Sequence, residues 1–295
     1  MIKRLRIKGL SFFSILFLAP SFLIFTIFFI FPSLSSIGYS FLKWDQYSGS
    51  KIFIGLNNYI NLISDNNYWL TVRNSLIFVA FALLIEIPAG FILAYLVSRT
   101  VKGLKIFRTI YFLPVIITTI AVGVIFSIIY NSEFGPLNQF LDIIGLSALK
   151  QNWLSNSRIV IFSVVLPNVW KNIGEPFIIS LAAIQLIPPE ILESASIDGA
   201  NSFKKFTRIV IPGSWDILQI CVIMVVTGAL RAFEMPWALT QGGPGVSSAY
   251  ISVYMLKVAF LQQNFGYGSA ITVTILIYAL SFTLIFKKIA SRKDV

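Results

Sequence analysis

The chain has 295 residues, of which 57% are hydrophobic and only 12% are charged, and its formal net charge is +11. A soluble domain of this length usually carries about twice that charged fraction, so the composition excludes an ordinary globular protein. With no histidine and a single cysteine, Cys221, the sequence provides neither a disulfide pair nor the ligands of a zinc or haem site.

Six apolar stretches are each long enough to cross a bilayer as a helix, which takes about 20 residues for a hydrocarbon core about 30 Å thick. They recur along the whole chain, with Gly and Pro at levels that membrane helices tolerate. The sequence therefore predicts an all-α membrane protein with six transmembrane helices. The predicted spans are, in chain order, 11–32, 72–97, 107–130, 158–183, 213–236 and 269–290.

The first apolar stretch follows a basic start, as a secretory signal peptide does. Its apolar run is longer than the roughly 7–15 residues of a signal core, and no small-residue cleavage site closes it, so we predict a retained helix. The segment 41–70 is too long for a simple turn and is expected to form a cap outside the membrane. We accordingly divide the chain into residues 1–69, a helix with an extracytoplasmic loop, and residues 70–295, a transmembrane domain of five helices.

Lysine and arginine are unevenly distributed between the two sets of loops, and this predicts the orientation. Fifteen of them flank alternate span ends, whereas the opposite loops hold only Lys43, Lys51, Lys150 and Lys257, with Arg73 and Arg158 at span edges. By the positive-inside rule both termini are then cytoplasmic. The basic residues of the predicted cytoplasmic side are Lys3, Arg4, Arg6, Lys8, Arg99, Lys102, Lys105, Arg108, Lys204, Lys205, Arg208, Lys287, Lys288, Arg292 and Lys293.

Charged residues inside the predicted spans are candidates for a transport path, because each costs at least ~2.5–3.5 kcal/mol on insertion scales. Glu86 directly precedes Ile87 and Pro88, a proline that frees a backbone carbonyl. Lys171 and Glu175 are four residues apart, a spacing that allows them to pair. Prolines at 167 and 176, with a glycine at 174, predict a kinked or broken fourth span. Arg231 and Glu234 complete the set, either as a structural pair at the interface or as path residues.

The stretch 188–212 is a polar island between the fourth and fifth apolar stretches, so it must lie in water beside the membrane. Pro188 and Pro189 suit the start of a short helix, since a proline at the first helical position loses no hydrogen bond. Gly199 follows as a turn residue that takes a positive φ without strain. Asn201 can cap a second short helix. The stretch therefore predicts a short helix, a tight turn and a second helix.

The first of these short helices has an acidic start and one apolar face. Glu190 and Glu193 lie in its first turns, where the helix dipole favours anions. Ile191, Leu192 and Ala195 are expected to form the apolar face. An ordinary amphipathic helix at the membrane surface is the plain alternative.

The order of residues in this loop also carries a family resemblance. Glu193-Ser194-Ala195, Gly199, Ile209, Ile211 and Pro212 resemble, without a gap, the cytoplasmic "EAA" loop of permease subunits in binding-protein-dependent ABC importers. That motif reads Glu-Ala-Ala, three residues, Gly, nine residues, then Ile-x-Leu-Pro. The departures, Ser194 for Ala and Ile211 for Leu, are small and conservative.

The resemblance implies the core of a type I (MetI-like) ABC importer permease, whose loop docks on a separate ATPase. This chain has no G-x-x-x-x-G-K-[ST] phosphate loop, so it is expected to be non-enzymatic and to bind no cofactor itself, ATP and Mg²⁺ being bound by the partner. Implied partners are a second homologous permease in a heterodimer, two ATPase copies, an extracytoplasmic binding protein, a sugar and membrane lipid. Nucleic acid is not expected, since the basic residues cluster at span ends. The residues implied in ATPase coupling are Glu193, Ser194, Ala195, Asp198, Gly199 and Pro212.

The resemblance extends over most of residues 70–290 and points to the maltose, multiple-sugar and glycerol-phosphate branch. Segments 239–245 and 264–268 look like the outside loop that precedes the last span of carbohydrate permeases. It implies import of a sugar or oligosaccharide across a bacterial cell membrane. Sugar recognition needs aromatic faces and hydrogen-bonding groups, and the fourth and fifth spans offer Asn168, Trp170, Glu175, Phe233, Glu234 and Trp237 for a substrate path.

Two other functions stay open at this point. An ABC permease could carry a non-sugar solute such as glycerol phosphate. An ion-coupled secondary transporter could use Glu86 or the Lys171–Glu175 pair as a proton relay. The second alternative expects repeated halves, and residues 1–148 and 149–295 show no obvious repeat. A membrane enzyme is disfavoured, because the chain lacks His and a cysteine cluster.

Overall fold

The computed structural model describes residues 12–44, 49–98 and 104–290, and these are mostly helical. A short antiparallel hairpin, β1 (Leu42–Trp44) and β2 (Lys51–Phe53), interrupts them with Leu42 opposite Phe53. The α-helices within the described ranges are α1 (Phe12–Phe25), α2 (Phe31–Tyr39), α3 (Asn57–Ser64), α4 (Asn66–Phe81), α5 (Ile87–Ser98), α6 (Leu104–Ile116), α7 (Thr119–Ile129), α8 (Pro136–Ile143), α9 (Val160–Asn172), α10 (Gly174–Gln185), α11 (Pro189–Ile197), α12 (Ser202–Lys205), α13 (Ile211–Gly213), α14 (Trp215–Arg231), α15 (Glu234–Thr240), α16 (Ile251–Leu256) and α17 (Phe265–Ala290).

Four helices in the described part of the chain are long and apolar enough to cross a membrane, and the number rises to six if each of two bent pairs counts as one span. The four are Phe17–Tyr39, Asn66–Ser98, Trp215–Thr240 and Phe265–Ala290. Their outward faces carry many exposed Phe, Leu and Ile side chains, as lipid-facing helices do.

One predicted span proves not to be a single rod. The stretch predicted over 107–130 consists of two helical arms, Ile106–Ile116 and Thr119–Ile129, which meet at 86°. The break has a local cause: Thr118 takes extended backbone angles and accepts a hydrogen bond from the Ala121 N–H at 3.3 Å, which starts a new helix.

The fourth predicted span is more continuous than its prolines suggested. Only Ile173 separates α9 from α10, and backbone hydrogen bonds carry the helix through it, from Ile173 N to Val169 O and from Phe177 N to Ile173 O, both 3.1 Å. Of the two predicted outcomes, a kinked or a broken span, the broken span is therefore wrong. The large change of direction comes later: the rod Val160–Gln185 and the helix Pro189–Ile197 meet at 74°.

Three π-helical turns each end two residues before a proline. They are Thr26–Ile30 before Pro32, Ala82–Glu86 before Pro88, and Phe206–Val210 before Pro212. Proline has no N–H and its ring clashes with the carbonyl four residues earlier, so a wider turn accommodates it without ending the helix. As a result Glu86 lies in the π turn that joins α4 to α5.

Helices α5 and α10 pack closely because one of them has a glycine at the contact. A Cβ added to Gly90 would lie 2.8 Å from the backbone nitrogen of Phe177. Small residues at such crossings allow membrane helices to approach one another. Phe177 is fully buried in the same cluster as Phe91 and Leu181, so α5 and α10 form a packed unit.

The start of α4 is fixed by a cluster of polar groups around Asp65. Its carboxylate accepts hydrogen bonds from the backbone N–H groups of Asn67 and Tyr68, the Tyr254 hydroxyl at 2.5 Å and the Tyr267 hydroxyl at 2.7 Å. Partial burial by itself would raise the pKa of Asp65, but the hydrogen bonds to the carboxylate hold the pKa below its ordinary value. The cluster joins α4 to α16 and α17.

Several of the basic residues that predict the orientation lie outside the described residues. These are Lys3, Arg4, Arg6, Lys8, Arg99, Lys102, Arg292 and Lys293.

Candidate coupling loop and central cavity

The first half of loop 188–212 folds as its sequence predicts. Pro189 is the first residue of α11, and the helix ends in a left-handed turn at Gly199, whose φ is +76°. The Ala200 N–H bonds to the Ala195 carbonyl at 2.8 Å and the Gly199 N–H to the Ser196 carbonyl at 3.1 Å. This pair of bonds is the Schellman motif, which satisfies the last carbonyls of a helix and needs a residue tolerant of positive φ.

The second half of the loop is anchored to the helix bundle. Asn201 caps α12 by accepting a hydrogen bond from the Lys204 N–H at 2.9 Å, as predicted. The Tyr95 hydroxyl of α5 donates to the Ser202 carbonyl at 2.9 Å. The Phe206 ring lies 4.8 Å from the ring of Tyr95 and 5.5 Å from that of Phe91, centroid to centroid. The base of the loop is therefore part of the packed unit of α5 and α10.

The tip of the loop, by contrast, leaves large apolar side chains in the open. Ile197 is 88% exposed and Phe203 is 72% exposed. Large apolar side chains exposed on a loop that is otherwise polar are common at protein interaction sites. Of the residues implied in coupling, Glu193, Ser194, Asp198, Gly199 and Pro212 are exposed and Ala195 is half-buried.

The apolar face predicted for α11 is divided between two directions. Leu192 packs against the cluster of α5 and α10, whereas Ile191 on the same helix is 48% exposed. The hydroxyls of Ser194 and Ser196 donate to backbone carbonyls one turn back on the same helix, at 2.7 and 2.8 Å. The helix thus has one face toward its own bundle and a second apolar face available to another molecule.

A cavity of about 370 Å³ lies between the second, fourth and fifth spans. This volume falls in the range of roughly 300–1,000 Å³ that is common for small-molecule sites. Asn168 and Glu175, both predicted for the substrate path, line it. The full lining is Phe78, Glu86, Asn168, Asn172, Glu175, Met224, Val225, Thr227, Gly228, Ala229, Arg231 and Ala232.

The charged residues of this region do not form the pairs that their spacing suggested. The Lys171 ammonium donates to the Val115 carbonyl at 3.2 Å and makes no ion pair with Glu175 within the described chain. Arg231 donates from Nε to the Thr227 carbonyl at 3.1 Å and makes no ion pair with Glu234 there either. Neither pair forms, because each cation donates to a backbone carbonyl instead, Lys171 to one on another helix and Arg231 to one a turn back on its own helix.

Four of the predicted path residues lie away from the cavity lining. Phe233 and Trp237 stack on each other with ring centroids 5.4 Å apart, and Glu234 begins α15 beside them. Trp170 is 48% exposed and lies 5.9 Å from the ring of Phe126. Their roles in a path stay a prediction.

Two polar residues of the lining, Asn172 and Thr227, were missed from the sequence. Asn172 donates from Nδ2 to Oδ1 of Asn168 at 3.0 Å, so the two amides form a pair one helical turn apart. The spacing of four between two asparagines in an apolar span was a usable signal. Glu86, noted for its position before Pro88, also lines the cavity.

The segment between α15 and α16 is tied to α4 by one buried amide. Asn74 donates from Nδ2 to the carbonyls of Ser247 and Ala249 at 2.9 and 3.1 Å, with Val246 O at 3.4 Å. Next to it Ser75 accepts a hydrogen bond from the N–H of Ile251 at 3.0 Å. These bonds hold the segment 246–251 against the membrane-spanning helix.

Comparison with curated proteins identifies relatives along nearly the whole chain. The probable ABC transporter permease protein YurN of Bacillus subtilis is 34% identical over 275 residues, which are 92% of this chain and 94% of YurN. The arabinooligosaccharides transport system permease protein AraP of Bacillus subtilis is 33% identical over 278 residues, 93% of this chain and 87% of AraP. The trehalose/maltose transport system permease protein MalF of Thermococcus litoralis is 30% identical over 283 residues, 95% and 94% of the two chains.

A solved structure has the same fold. In the crystal structure of a bacterial ABC transporter involved in the import of the acidic polysaccharide alginate, one chain superposes with a TM-score of 0.82 at 24% identity, covering 95% of each chain. A scan against protein-family models gives no match.

Proposed function

This chain belongs to the family of ABC transporter permease proteins, and we propose its function on that basis. It is accordingly a non-catalytic, multi-pass subunit of the bacterial cell membrane. Relatives named for trehalose/maltose and for arabinooligosaccharides lead us to assign it to the import of a sugar or oligosaccharide. Membership in this family sets aside the ion-coupled carrier.

The coupling proposal depends on one observation, that loop 188–212 is packed against the helix bundle at its base and exposed at its tip. Its base, at Phe206, is packed into α5 and α10, and its tip leaves Ile197 and Phe203 exposed. We propose that a separate ATPase chain covers this tip, with Glu193 and Asp198 as polar contacts. Movement of the ATPase then reaches the spans as a rigid-body displacement, because the base cannot move without them.

The proposed orientation places loop 188–212 and both termini in the cytoplasm, with six spans in the membrane. The β1–β2 hairpin and the segment 241–250 then face outward, toward a solute-binding protein. We further propose a second homologous permease and two copies of the ATPase, which bind ATP and Mg²⁺, while this chain carries no cofactor. The sugar would pass the cavity lined by Asn168 and Glu175.

Photo-crosslinking tests the docking proposal with a matched pair of positions. Phe203 and Phe53 are 72% and 74% exposed, the first on loop 188–212 and the second on the hairpin. We expect p-benzoylphenylalanine at 203 to trap the ATPase in membranes that contain the whole transporter, and the same group at 53 to trap none. A crosslink at 53 alone, or at neither position, would contradict the docking.

Cysteine labelling tests the orientation independently. The native Cys221 is buried, so an introduced cysteine can be read with little background. In intact cells a membrane-impermeant maleimide should label Phe53→Cys at once and Phe203→Cys only after permeabilisation. The reverse pattern would invert the topology.

A further inference from the structure

The loop between the third and fourth spans carries an exposed apolar face on and after helix α8. Six large apolar side chains form this face, with Ile143 exposed to 82% and the others to between 45% and 60%. From residue 143 to residue 149 the chain has no charged side chain. The six are Phe134, Phe140, Ile143, Ile144, Leu146 and Leu149. An apolar face of this size in an otherwise polar loop indicates a contact with another apolar surface.

The opposite side of α8 is anchored by one buried amide. Asn138 donates from Nδ2 to the carbonyls of Ser132 and Gln151 at 3.3 and 3.2 Å. Its Oδ1 accepts the indole N–H of Trp153 at 2.8 Å. These three hydrogen bonds fix the rotation of α8 about its own axis.

This rotation directs the apolar face outward. Each residue advances an α-helix by about 100°, so Phe140, Ile143 and Ile144 lie about 140–240° around the axis from Asn138. The helix is therefore amphipathic, with its anchored polar side toward the rest of the loop and its apolar side away from it.

The turn that ends α8 pairs its own backbone groups. The Leu146 N–H donates to the Leu141 carbonyl at 2.8 Å and the Gly145 N–H to the Asp142 carbonyl at 3.1 Å. Gly145 has the positive φ, +76°, that this Schellman arrangement needs. Next to hydrocarbon an unpaired backbone group is costly, because lipid offers it no partner. A turn with apolar side chains and paired backbone groups therefore suits contact with lipid.

Two aromatic residues place α8 at the level of a membrane surface. Tyr130 follows the last residue of α7, and Trp153 precedes the fourth span, with ring centroids 6.1 Å apart. Tyrosine and tryptophan are enriched where a bilayer meets water. Trp153 also bonds Asn138 of α8, so the helix lies beside this aromatic pair. A polar cavity of about 260 Å³ adjoins the anchored side, lined by Ser132, Asn138, Lys150, Gln151 and Asn152.

The apolar face also follows closely on the lipid-facing surface of α7. Ile120, Val124 and Ile128 are exposed at a spacing of four along that helix, which makes one apolar stripe. The turn after it is tight, since the side-chain oxygen of Asn131 accepts the N–H of Phe134 at 3.0 Å. Exposed apolar side chains therefore lead from the membrane-spanning arm directly to α8.

We propose that α8 and the segment 143–149 lie in the headgroup region of the bilayer, with their apolar face buried in lipid. The segment anchors the ends of the third and fourth spans at the membrane surface opposite loop 188–212. Interfacial helices bury an apolar face in this way and keep their polar side in water. The inference goes beyond the proposed function and depends on neither the solute nor the ATPase.

Spin labelling tests the contact in the purified transporter complex, held in nanodiscs of phosphatidylethanolamine and phosphatidylglycerol. A nitroxide is attached to Ile143→Cys or, as the matched control, to Asn152→Cys, an exposed position on the polar side. The native Cys221 is buried. Oxygen concentrates in lipid, whereas a polar nickel chelate stays in water. We expect the ratio of oxygen to nickel collision rates to be at least about fivefold higher at 143 than at 152. Phe140→Cys provides a second position on the apolar face if Ile143→Cys fails to fold.

The other outcomes each overturn the proposal. Equal ratios at 143 and 152 would place the face in water. Low collision rates with both reagents at 143 would show that a protein surface covers it. Either result would leave import of a sugar and docking of the ATPase untouched.

A double substitution tests whether the apolar face holds the segment in lipid. With a nitroxide on Leu149→Cys, Phe140→Asn together with Ile143→Asn should raise the nickel collision rate about threefold, because the helix then loses most of its apolar face. Glu133→Gln, at an exposed position of the same loop, is the control and should leave that rate unchanged. An unaltered rate in the double variant would contradict anchoring by this face.

Discussion

The two ends of the helix Asn66–Ser98 differ in how far their surroundings are covered by other parts of this chain. At the first end Asp65 receives two tyrosine hydroxyls and two backbone N–H groups, and Asn74 bonds the segment 246–249. At the second end Tyr95 meets loop 188–212 through its hydroxyl and aromatic packing, while the tip of that loop stays exposed. The same helix therefore connects a region held by hydrogen bonds within this chain to a loop whose apolar side chains are left exposed.

The contrast indicates where a partner is needed. Directional hydrogen bonds fix the first end without help, because the Asp65 carboxylate and the side-chain N–H groups of Asn74 find their partners inside the chain. Exposed apolar groups at the second end gain stability only when another surface covers them. Substitutions at the first end should therefore act on the stability of this chain, and substitutions in the loop on transport.

The largest expected effect is that of Gly199→Val on transport. A β-branched residue disfavours the φ of +76° at this position and should deform the turn between α11 and α12. We expect uptake of the radiolabelled sugar to fall at least about tenfold, because a shift of about 1 Å in a positioned element can cost far more. Membrane insertion should be unchanged.

Gly145→Val is the matched control for that prediction. Gly145 has the same φ of +76° and, like Gly199, no atom within 4 Å of an added Cβ. It lies in the connection after α8, far along the chain from loop 188–212. Equal losses of uptake in the two variants would mean that backbone strain alone, and not coupling, explains the defect.

Asn74→Leu should have the next largest effect, this time on stability. Leucine fills a similar volume but leaves buried carbonyls of the segment 246–249 without donors. We expect a loss of about 2–3 kcal/mol, seen as a lower thermal midpoint of the purified chain. Asn67→Leu, at an exposed position of the same helix, should leave the midpoint nearly unchanged. Similar midpoints for the two variants would contradict a stabilising role of the Asn74 amide.

Asp65→Asn should have a smaller effect that depends on pH. The folded pKa of Asp65 lies below the ordinary value of 3.8, so its charge stabilises the fold above that value, and the benefit is lost as the pH falls through the folded pKa. The carboxylate is only partly buried, so we expect about 1 kcal/mol at neutral pH. The gap in thermal midpoint between wild type and variant should narrow as the pH falls below 3.8. A gap that is constant with pH would exclude the charge as its cause.

Lys205→Ala should have the smallest effect. Lys205 hydrogen-bonds Ser196 across the turn of loop 188–212, but Ser196 is exposed and such surface contacts are worth at most about 0.5 kcal/mol. Both uptake and thermal midpoint should stay at wild-type values. A clear loss of uptake would show that the two arms of the loop are held by this bond as well as by packing.

Local features of loop 188–212 could be predicted because their causes are local. The proline start, the positive φ of Gly199 and the cap by Asn201 each depend on residues within one turn of the chain. The existence of apolar spans was equally accessible, since length and composition decide it.

Features that depend on distant residues could not be predicted. The acceptor of Lys171 is the carbonyl of Val115, 56 residues away, and no spacing rule reaches that far. The 86° bend within 106–129 could not be predicted from an unbroken apolar sequence either. Both arms meet apolar surroundings whichever way they point, so both need apolar residues. The lining of the cavity could not be predicted for the same reason, since it comes from three spans that are distant in the sequence.

The wide turn before Pro88 sets the rotational phase between the two ends of the helix Asn66–Ser98. Each residue of an α-helix advances the chain by about 100° around the axis, so one extra residue in a turn re-aims every later side chain. Deleting a single residue between 82 and 85 would swing Tyr95 away from Ser202 while leaving the hydrophobic composition almost unaltered. The wide turn that accommodates Pro88 thus fixes the direction of the side chains in the second half of the helix, and this rotation matters to the contact with loop 188–212 as much as the length of the helix does.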